Sequence, residues 1–226
     1  MNSIVPDSST TAAIELLNKS LHRHKVGLAD EHAAKLAEYC DLLWEWNAQL
    51  NLTRHTDFEQ FVTRDLIDSL RLASHIPEEQ SVLDVGAGGG VPGVVLAITR
   101  PDLNVSMAES VGKKAKALKD ICRKLRLSVP VHAARAEDVL KKHHYDVLTL
   151  RAVAPLRKIL FWFQRHTTAF GSILAIKGPR WVAERDEADK EGLLAGVDLD
   201  VIDEYPTPGH DNNSVILSIR YQRPVA

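Results

Sequence analysis

Residues 84–90 read Asp-Val-Gly-Ala-Gly-Gly-Gly, and no other stretch so narrows the folds open to the chain. The stretch begins within the short apolar run Val82-Leu83-Asp84-Val85 and leads through Val91-Pro92 into a helical pattern reaching about Thr99. A strand, a glycine turn and a helix in that order form the opening unit of a nucleotide-type α/β domain. There the backbone of the turn can approach a ligand and the helix N-terminus attracts negative charge. Pro92 suits a first helical turn, where its missing N–H is not needed. The same rhythm continues downstream. Asn104–Ala108, Val129–Ala133, Tyr145–Leu150 and Phe170–Ile176 read as strands, with helices over Gly112–Leu127 and from about Pro155. Val197–Glu204 and Ser214–Tyr221 read as two more strands, joined by Pro206-Thr207-Pro208-Gly209 with no helix between. The expected class is α/β: a mostly parallel sheet with helices on both faces and an antiparallel last strand.

Upstream the periodicity is helical. Thr10–His24, Asp30–Leu50 and Asp57–His75 read as three helices, and Asp57 is a candidate N-cap. In the second, Ala33, Leu36, Tyr39, Leu43, Trp46 and Leu50 recur every three or four residues, the mark of one buried face. Pro77 and the polar run Glu78-Glu79-Gln80 close this prologue. Residues 1–80 are therefore expected to form a helical extension packed on a domain of residues 81–226, a division that suits 226 residues. Met1–Thr11 is polar and lacks the features of a secretion signal. No segment approaches the roughly 20 apolar residues of a membrane helix. Cys40 and Cys122 lie far apart without metal-ligand spacing. A cytoplasmic monomer without metal is expected.

Two cofactors compete for the glycine turn. Gly88 to Gly93 formally fits G-x-G-x-x-G, the dinucleotide fingerprint, a weak match by itself. Asp84 followed by Gly86, Gly88 and Gly90 at alternate positions looks instead like the first motif of class I methyltransferases. An acid so early sits poorly against a pyrophosphate, but it can face the ammonium of S-adenosylmethionine, directly or through water. A turn without any ligand is the remaining alternative. Glu109, at the end of the second strand, can accept hydrogen bonds from both hydroxyls of an adenosine ribose, which either cofactor carries. Ala136-Glu137, after the third strand, lies where an adenine edge would rest.

Taken together, these pieces resemble the bacterial small-subunit rRNA guanine-N7 methyltransferases, historically called glucose-inhibited division protein B. The resemblance spans roughly Tyr39 to Gly178. It rests on Trp46-Asn47, Asn51-Leu52-Thr53, Leu66-Ile67-Asp68-Ser69-Leu70, Asp84 through Gly93, Arg100-Pro101-Asp102, Glu109 through Lys114, Arg135-Ala136-Glu137, Arg151-Ala152-Val153-Ala154 and Lys177-Gly178, in that order. It implies a class I Rossmann-like sheet, S-adenosylmethionine contacts at Gly86, Val91, Ala136, Glu137 and Arg151, and methylation of a guanine N7 in the 530 loop of 16S rRNA. The chain departs from the family twice. Glu109-Ser110 stands where Asp-Ser is usual, and Asp65 stands where His is usual. Asp65 is left out of the expected site.

The residues themselves bear on the target atom. After the fourth strand, Leu150-Arg151-Ala152-Val153-Ala154-Pro155 lacks the Asn/Asp-Pro-Pro-aromatic set that orients exocyclic amines. Neither cysteine is placed as the nucleophile that base-carbon methylation commonly needs. Guanine N7 requires neither device, and catalysis can be mainly alignment. Arg151, a cofactor contact by the resemblance, is the expected catalytic residue, lining the cofactor pocket and approaching the RNA backbone or base. The net charge of −2 conceals a segregation: residues 111–180 hold 16 Lys/Arg against 4 Asp/Glu. Lys113, Lys114, Arg123, Lys177 and Arg180 are therefore candidate contacts to 16S rRNA or the small ribosomal subunit. The competing readings are a non-catalytic ribosome-assembly factor, an NAD-dependent oxidoreductase and a small-molecule methyltransferase.

Overall fold

A computed structural model describes residues 8–209 and 211–222; residues 1–7, at the head of the polar leading segment, lie outside them. The prologue forms α1 (Ser8–Arg23), α2 (Asp30–Asn47), and a third helix in three parts. That helix opens as α3 (Phe58–Gln60), passes through a π-helical turn (Phe61–Leu66) and continues as α4 (Ile67–Ala73). Asp57 does cap it, its carboxylate accepting from the Gln60 N–H at 2.7 Å.

The remainder alternates β1 (Ser81–Val85), α5 (Gly93–Thr99), β2 (Asn104–Ala108), α6 (Gly112–Lys124), β3 (Val131–His132), α7 (Ala136–Leu140), β4 (Tyr145–Arg151), α8 (Leu156–Phe163), β5 (Phe170–Lys177), α9 (Trp181–Lys190), β6 (Val197–Pro206) and β7 (Asn213–Tyr221). The sheet order is β3-β2-β1-β4-β5-β7-β6, with β7 antiparallel to both neighbours. Helix α9 has no counterpart in the sequence reading. Of its ten residues only Ala188 is buried, so it carries almost no apolar periodicity. β3 is shorter than its apolar run, because Pro130 has no N–H to offer the sheet.

The inner strands β1, β2, β4, β5 and β7 carry aliphatic residues on both faces, as a sheet covered on both sides requires, whereas the edge strand β6 alternates aliphatic with acidic residues. On one face Leu72 and Ile76 of the prologue share a core with Val82, Leu96, Val105 and Leu174. Outside α5 and α6 a second cluster joins Leu36, Leu43 and Phe61 to Val95, Leu118 and Ile121, so the prologue is packed against the α/β layers. On the other face α7 and α8 bury Val139, Leu156, Ile159 and Phe163 against β1, β4 and β5. Register places Val85 beside Ala108 and Leu150, and Leu150 beside Ala175. The carboxyl ends of β1, β2, β4 and β5 thus form one edge, where the sheet order reverses between β1 and β4. Open α/β sheets bind ligands at such a reversal.

Candidate active site

Two cavities lie side by side at that edge. The smaller, about 220 Å³, is lined by Val85, Gly86, Ala108, Ser110, Ala136, Glu137, Val153 and Trp162, among others. The larger, about 500 Å³, is lined by Asp68, Arg151, Val153, Ala154, Ile159 and Lys177, among others. Val153 belongs to both and divides them.

The glycine turn shapes the smaller cavity. Gly86 has φ +65°, and its N–H bonds to the Ala108 carbonyl at 2.8 Å. A Cβ at Gly86 would come within 3.1 Å of Val153 Cγ2, so the turn and the loop after β4 lie as close as a backbone without a side chain permits. Glu109 stands under the turn. Its carboxylate accepts from Gly88 N–H at 2.9 Å and Val111 N–H at 2.7 Å, tying the ends of β1 and β2 together. Each carboxylate oxygen has two acceptor sites, so capacity for ribose hydroxyls remains. The pocket offers apolar walls from Ala108, Ala136 and Val153, an indole from Trp162 and polar groups at Ser110 and Glu137, a set that fits a nucleoside.

Asp84 is placed differently from the sequence expectation. It is 1% exposed and does not line either cavity. Its carboxylate accepts from Gly93 N–H at 2.9 Å and Thr149 Oγ1 at 3.1 Å, so it anchors the first turn of α5 from beneath instead of facing an ammonium. Burial pushes its pKa up to about 7, against the opposing effect of those two hydrogen bonds and of Arg151. Gly88, Val91 and Glu109 also stand outside both linings; Val91 packs on the prologue cluster, and Glu109 is 6% exposed beneath the turn.

Arg151 ends β4 and is held from the prologue. Its Nη2 lies 2.7 Å from Asp65 Oδ1, and its Nη1 donates to the Arg64 carbonyl at 3.2 Å and stands 3.6 Å from Asp68 Oδ2. Among the described residues its buried Nε has no hydrogen-bond partner. The next residue, Ala152, has φ +55°, a conformation costly for a residue with a Cβ. Two departures from low-energy geometry at one strand end mark a position that the surrounding structure enforces. Asp68 accepts from Tyr205 Oη at 2.8 Å, and burial raises its pKa.

Among the basic candidates, Lys113 and Lys114 open α6 at the site edge, and Arg180 lies exposed just beyond β5. Arg123 lies ten residues further along α6, about 15 Å from Lys113 at 1.5 Å per residue, and pairs with Asp120 at 2.6 Å. Lys177 is not on the open surface as expected but in the wall of the larger cavity. It is 9% exposed, and its Nζ lies 2.6 Å from both Glu184 and the Ala154 carbonyl, which joins β5 to α9 and to the loop after β4. Cys40 and Cys122 are buried, and burial pushes the Cys40 thiol up and that of Cys122 to about 11. Among the described residues no group of three or more His, Cys, Asp or Glu is arranged to hold a metal, and no helix is long and apolar enough to cross a membrane.

Sequence reasoning missed Trp162, Ser110 and Val153 as pocket walls, and Asp65, Asp68 and His55 around Arg151. Trp162 carried no signal, since it sits in an apolar helix whose buried face folding alone reveals. Asp68 stood in a quoted motif, but its spacing of three from Asp65 on one helix was the only hint that both face Arg151.

Among solved structures, the chain superposes on MtNAS in complex with MTA and tNA with a TM-score of 0.57, at 16% identity over 98% of this chain and 92% of that one. TrmK of M. capricolum in complex with S-adenosyl-homocysteine gives a TM-score of 0.53 at 11% identity, over 70% of each chain. At these identities the likeness concerns the fold, which is that of the class I methyltransferases. The "Ribosomal RNA small subunit methyltransferase G" of Rhodopirellula baltica is 46% identical over 187 residues, 83% of this chain and 81% of that protein. Its counterpart in Xanthomonas campestris pv. campestris (strain B100) is 40% identical over 174 residues, 76% and 78% of the two chains. The model of the GidB family, described as rRNA small subunit methyltransferase G, matches residues 32–208. The chain belongs to the GidB family.

Proposed function

We propose that this chain methylates N7 of a guanine in the 530 loop of 16S rRNA, using S-adenosylmethionine and acting as a cytoplasmic monomer. The observation that carries the reading is the pair of cavities divided by Val153 at the switch point of the sheet. One suits a nucleoside; the other adjoins it and is bordered by a fixed guanidinium. The family description, with its small-subunit rRNA, supports the same substrate class.

S-adenosylmethionine supplies a methyl group that N7 can take on its own lone pair, with no proton to remove. Gly86, Ala136 and Glu137 hold the nucleoside end, and Glu109 braces the turn and keeps acceptor capacity for the ribose. Val153 and Trp162 exclude water from the smaller pocket. Arg151 borders the larger cavity and orients what enters it. No general base is needed, and no side chain after β4 offers the acceptor set that an exocyclic amine would require. Alignment of reacting atoms with water excluded can contribute about 7–11 kcal/mol. Lys113 and Arg180 are exposed on the same edge, with Lys114 half-buried beside them, and together they suit an RNA backbone.

The test is transfer of labelled methyl to 16S rRNA or small subunits lacking their modifications, with the labelled nucleotide mapped. Label on one guanine N7 of the 530 loop is expected, and Arg151→Ala is expected to cut transfer at least tenfold. RNA binding without label would favour the assembly-factor reading; label on an amine or ribose would overturn the target atom.

A further inference from the structure

Asp65 is an acid buried to 1% exposure within the π-helical turn, and the functional reading above gives it no task. Its Oδ1 meets two partners, Arg151 Nη2 at 2.7 Å and His55 Nδ1 at 2.9 Å. A carboxylate held by a single partner can swing about its own Cβ; one gripped from two sides presents a fixed acceptor. His55 is itself held. Asn47 Oδ1 accepts from the Leu52 and Thr53 N–H groups at 2.8 and 3.0 Å, Thr53 Oγ1 accepts from His55 N–H at 3.0 Å, and Trp44 Nε1 donates to the His55 carbonyl at 2.8 Å. The loop after α2 thus carries the imidazole as a rigid bracket.

Among the described residues the guanidinium's partners come from the prologue: Asp65, the Arg64 carbonyl and Asp68. Asp65 sits one turn before Asp68 on the same helix face, so the helix offers two carboxylates to one cation. The orphaned Nε and the positive φ at Ala152 lie at the same strand end as this grip.

We propose that Asp65 is a positioning residue for methyl transfer, fixing the Arg151 guanidinium at the border between the two cavities, with His55 as the outer anchor of the same chain of contacts. The prologue then completes the active site from across the cleft. Arg151, Asp65 and His55 act as one unit: the arginine touches the substrate side, and the other two act through it. A guanidinium displaced by an ångström misaligns whatever it orients, which slows the chemical step more than it weakens binding.

The proposal rests on the role given to Arg151, and a double-mutant cycle separates the two. Methyl transfer to unmodified small-subunit rRNA is measured for Asp65→Asn, Arg151→Ala and the pair, with calorimetry of S-adenosylhomocysteine binding alongside. Asp65→Asn is expected to lower kcat tenfold or more, with KM for RNA and affinity for S-adenosylhomocysteine changed less than threefold. The double variant should be no more than twofold slower than Arg151→Ala alone. Losses that multiply, or an unchanged kcat in Asp65→Asn, overturn the positioning role while Arg151 stands; full activity in Arg151→Ala overturns both. Should Asp65→Asn fail to fold, His55→Gln decides, because that imidazole is 28% exposed and its loss spares the core. A threefold or greater fall in kcat at constant KM upholds the proposal, and an unchanged kcat refutes it.

Discussion

Asp84 lies 1% exposed beneath the glycine turn, with a pKa pushed up to about 7 by burial. Its sequence position pointed to an acid at a strand end, and that part holds; which way the carboxylate faces was not legible, because Gly93 N–H and Thr149 Oγ1 come from other segments. The raised pKa has a consequence for stability. Between the ordinary carboxylate range and about 7, the folded chain keeps a proton that the unfolded chain has lost, so this group makes stability fall as pH rises through that window. Asparagine has no proton to lose and keeps an oxygen for Gly93. Relative to the parent, Asp84→Asn should therefore gain on the order of 2 kcal/mol between pH 5 and pH 7.5. Urea denaturation at both pH values reads the difference, and a flat one would assign the carboxyl an ordinary pKa in the fold.

The turn, the π-helical segment and α9 differ in how much of each the sequence disclosed. The turn was fully announced, since glycines at alternate positions after an apolar run have few other uses. Its tightness has a physical cause at Gly90, with φ +105° and an added Cβ only 2.5 Å from Val94 Cγ2 and 2.9 Å from Leu118 Cδ1. Gly90→Ala should cost about 2–3 kcal/mol, because both strain and overpacking act there. Gly112→Ala, at the start of α6 with nothing within 4 Å of the new methyl, should be neutral or stabilise by up to about 1 kcal/mol. Denaturant midpoints of the two variants check this, and equal losses would refute it. The π-helical turn rotates the residues after it by about 100° relative to an uninterrupted α-helix, but the spacing by four of Val62, Leu66 and Leu70 also suits an α-helix and gave no sign of it. That rotation nonetheless helps decide that Asp65 turns inward. α9 stayed hidden for the opposite reason: it buries a single alanine and is held by polar contacts such as Glu184 to Lys177.

At the scale of the molecule, segregation of charge was visible in the chain, but its geometry was not. Sixteen basic residues in one 70-residue block are distributed by the fold to different places. Lys113, Lys114 and Arg180 lie at the carboxyl edge of the sheet, Arg123 and Lys124 toward the far end of α6 in ion pairs with Asp120, and Lys177 in the wall of the larger cavity, paired with Glu184. A side chain already paired and remote from the site releases few counterions when RNA docks there. Replacing Lys113 and Lys114 together by alanine should therefore flatten the slope of log affinity against log salt by roughly 1.4–1.8, at about 0.7–0.9 per phosphate contact. Replacing Arg123 and Lys124 in the same way should leave that slope unchanged. Filter binding of unmodified 16S rRNA between 50 and about 300 mM salt compares the two pairs. A slope that falls equally in both would mean that RNA follows the whole length of α6, and the edge of the sheet would lose its claim to be the face on which the polyanion lies.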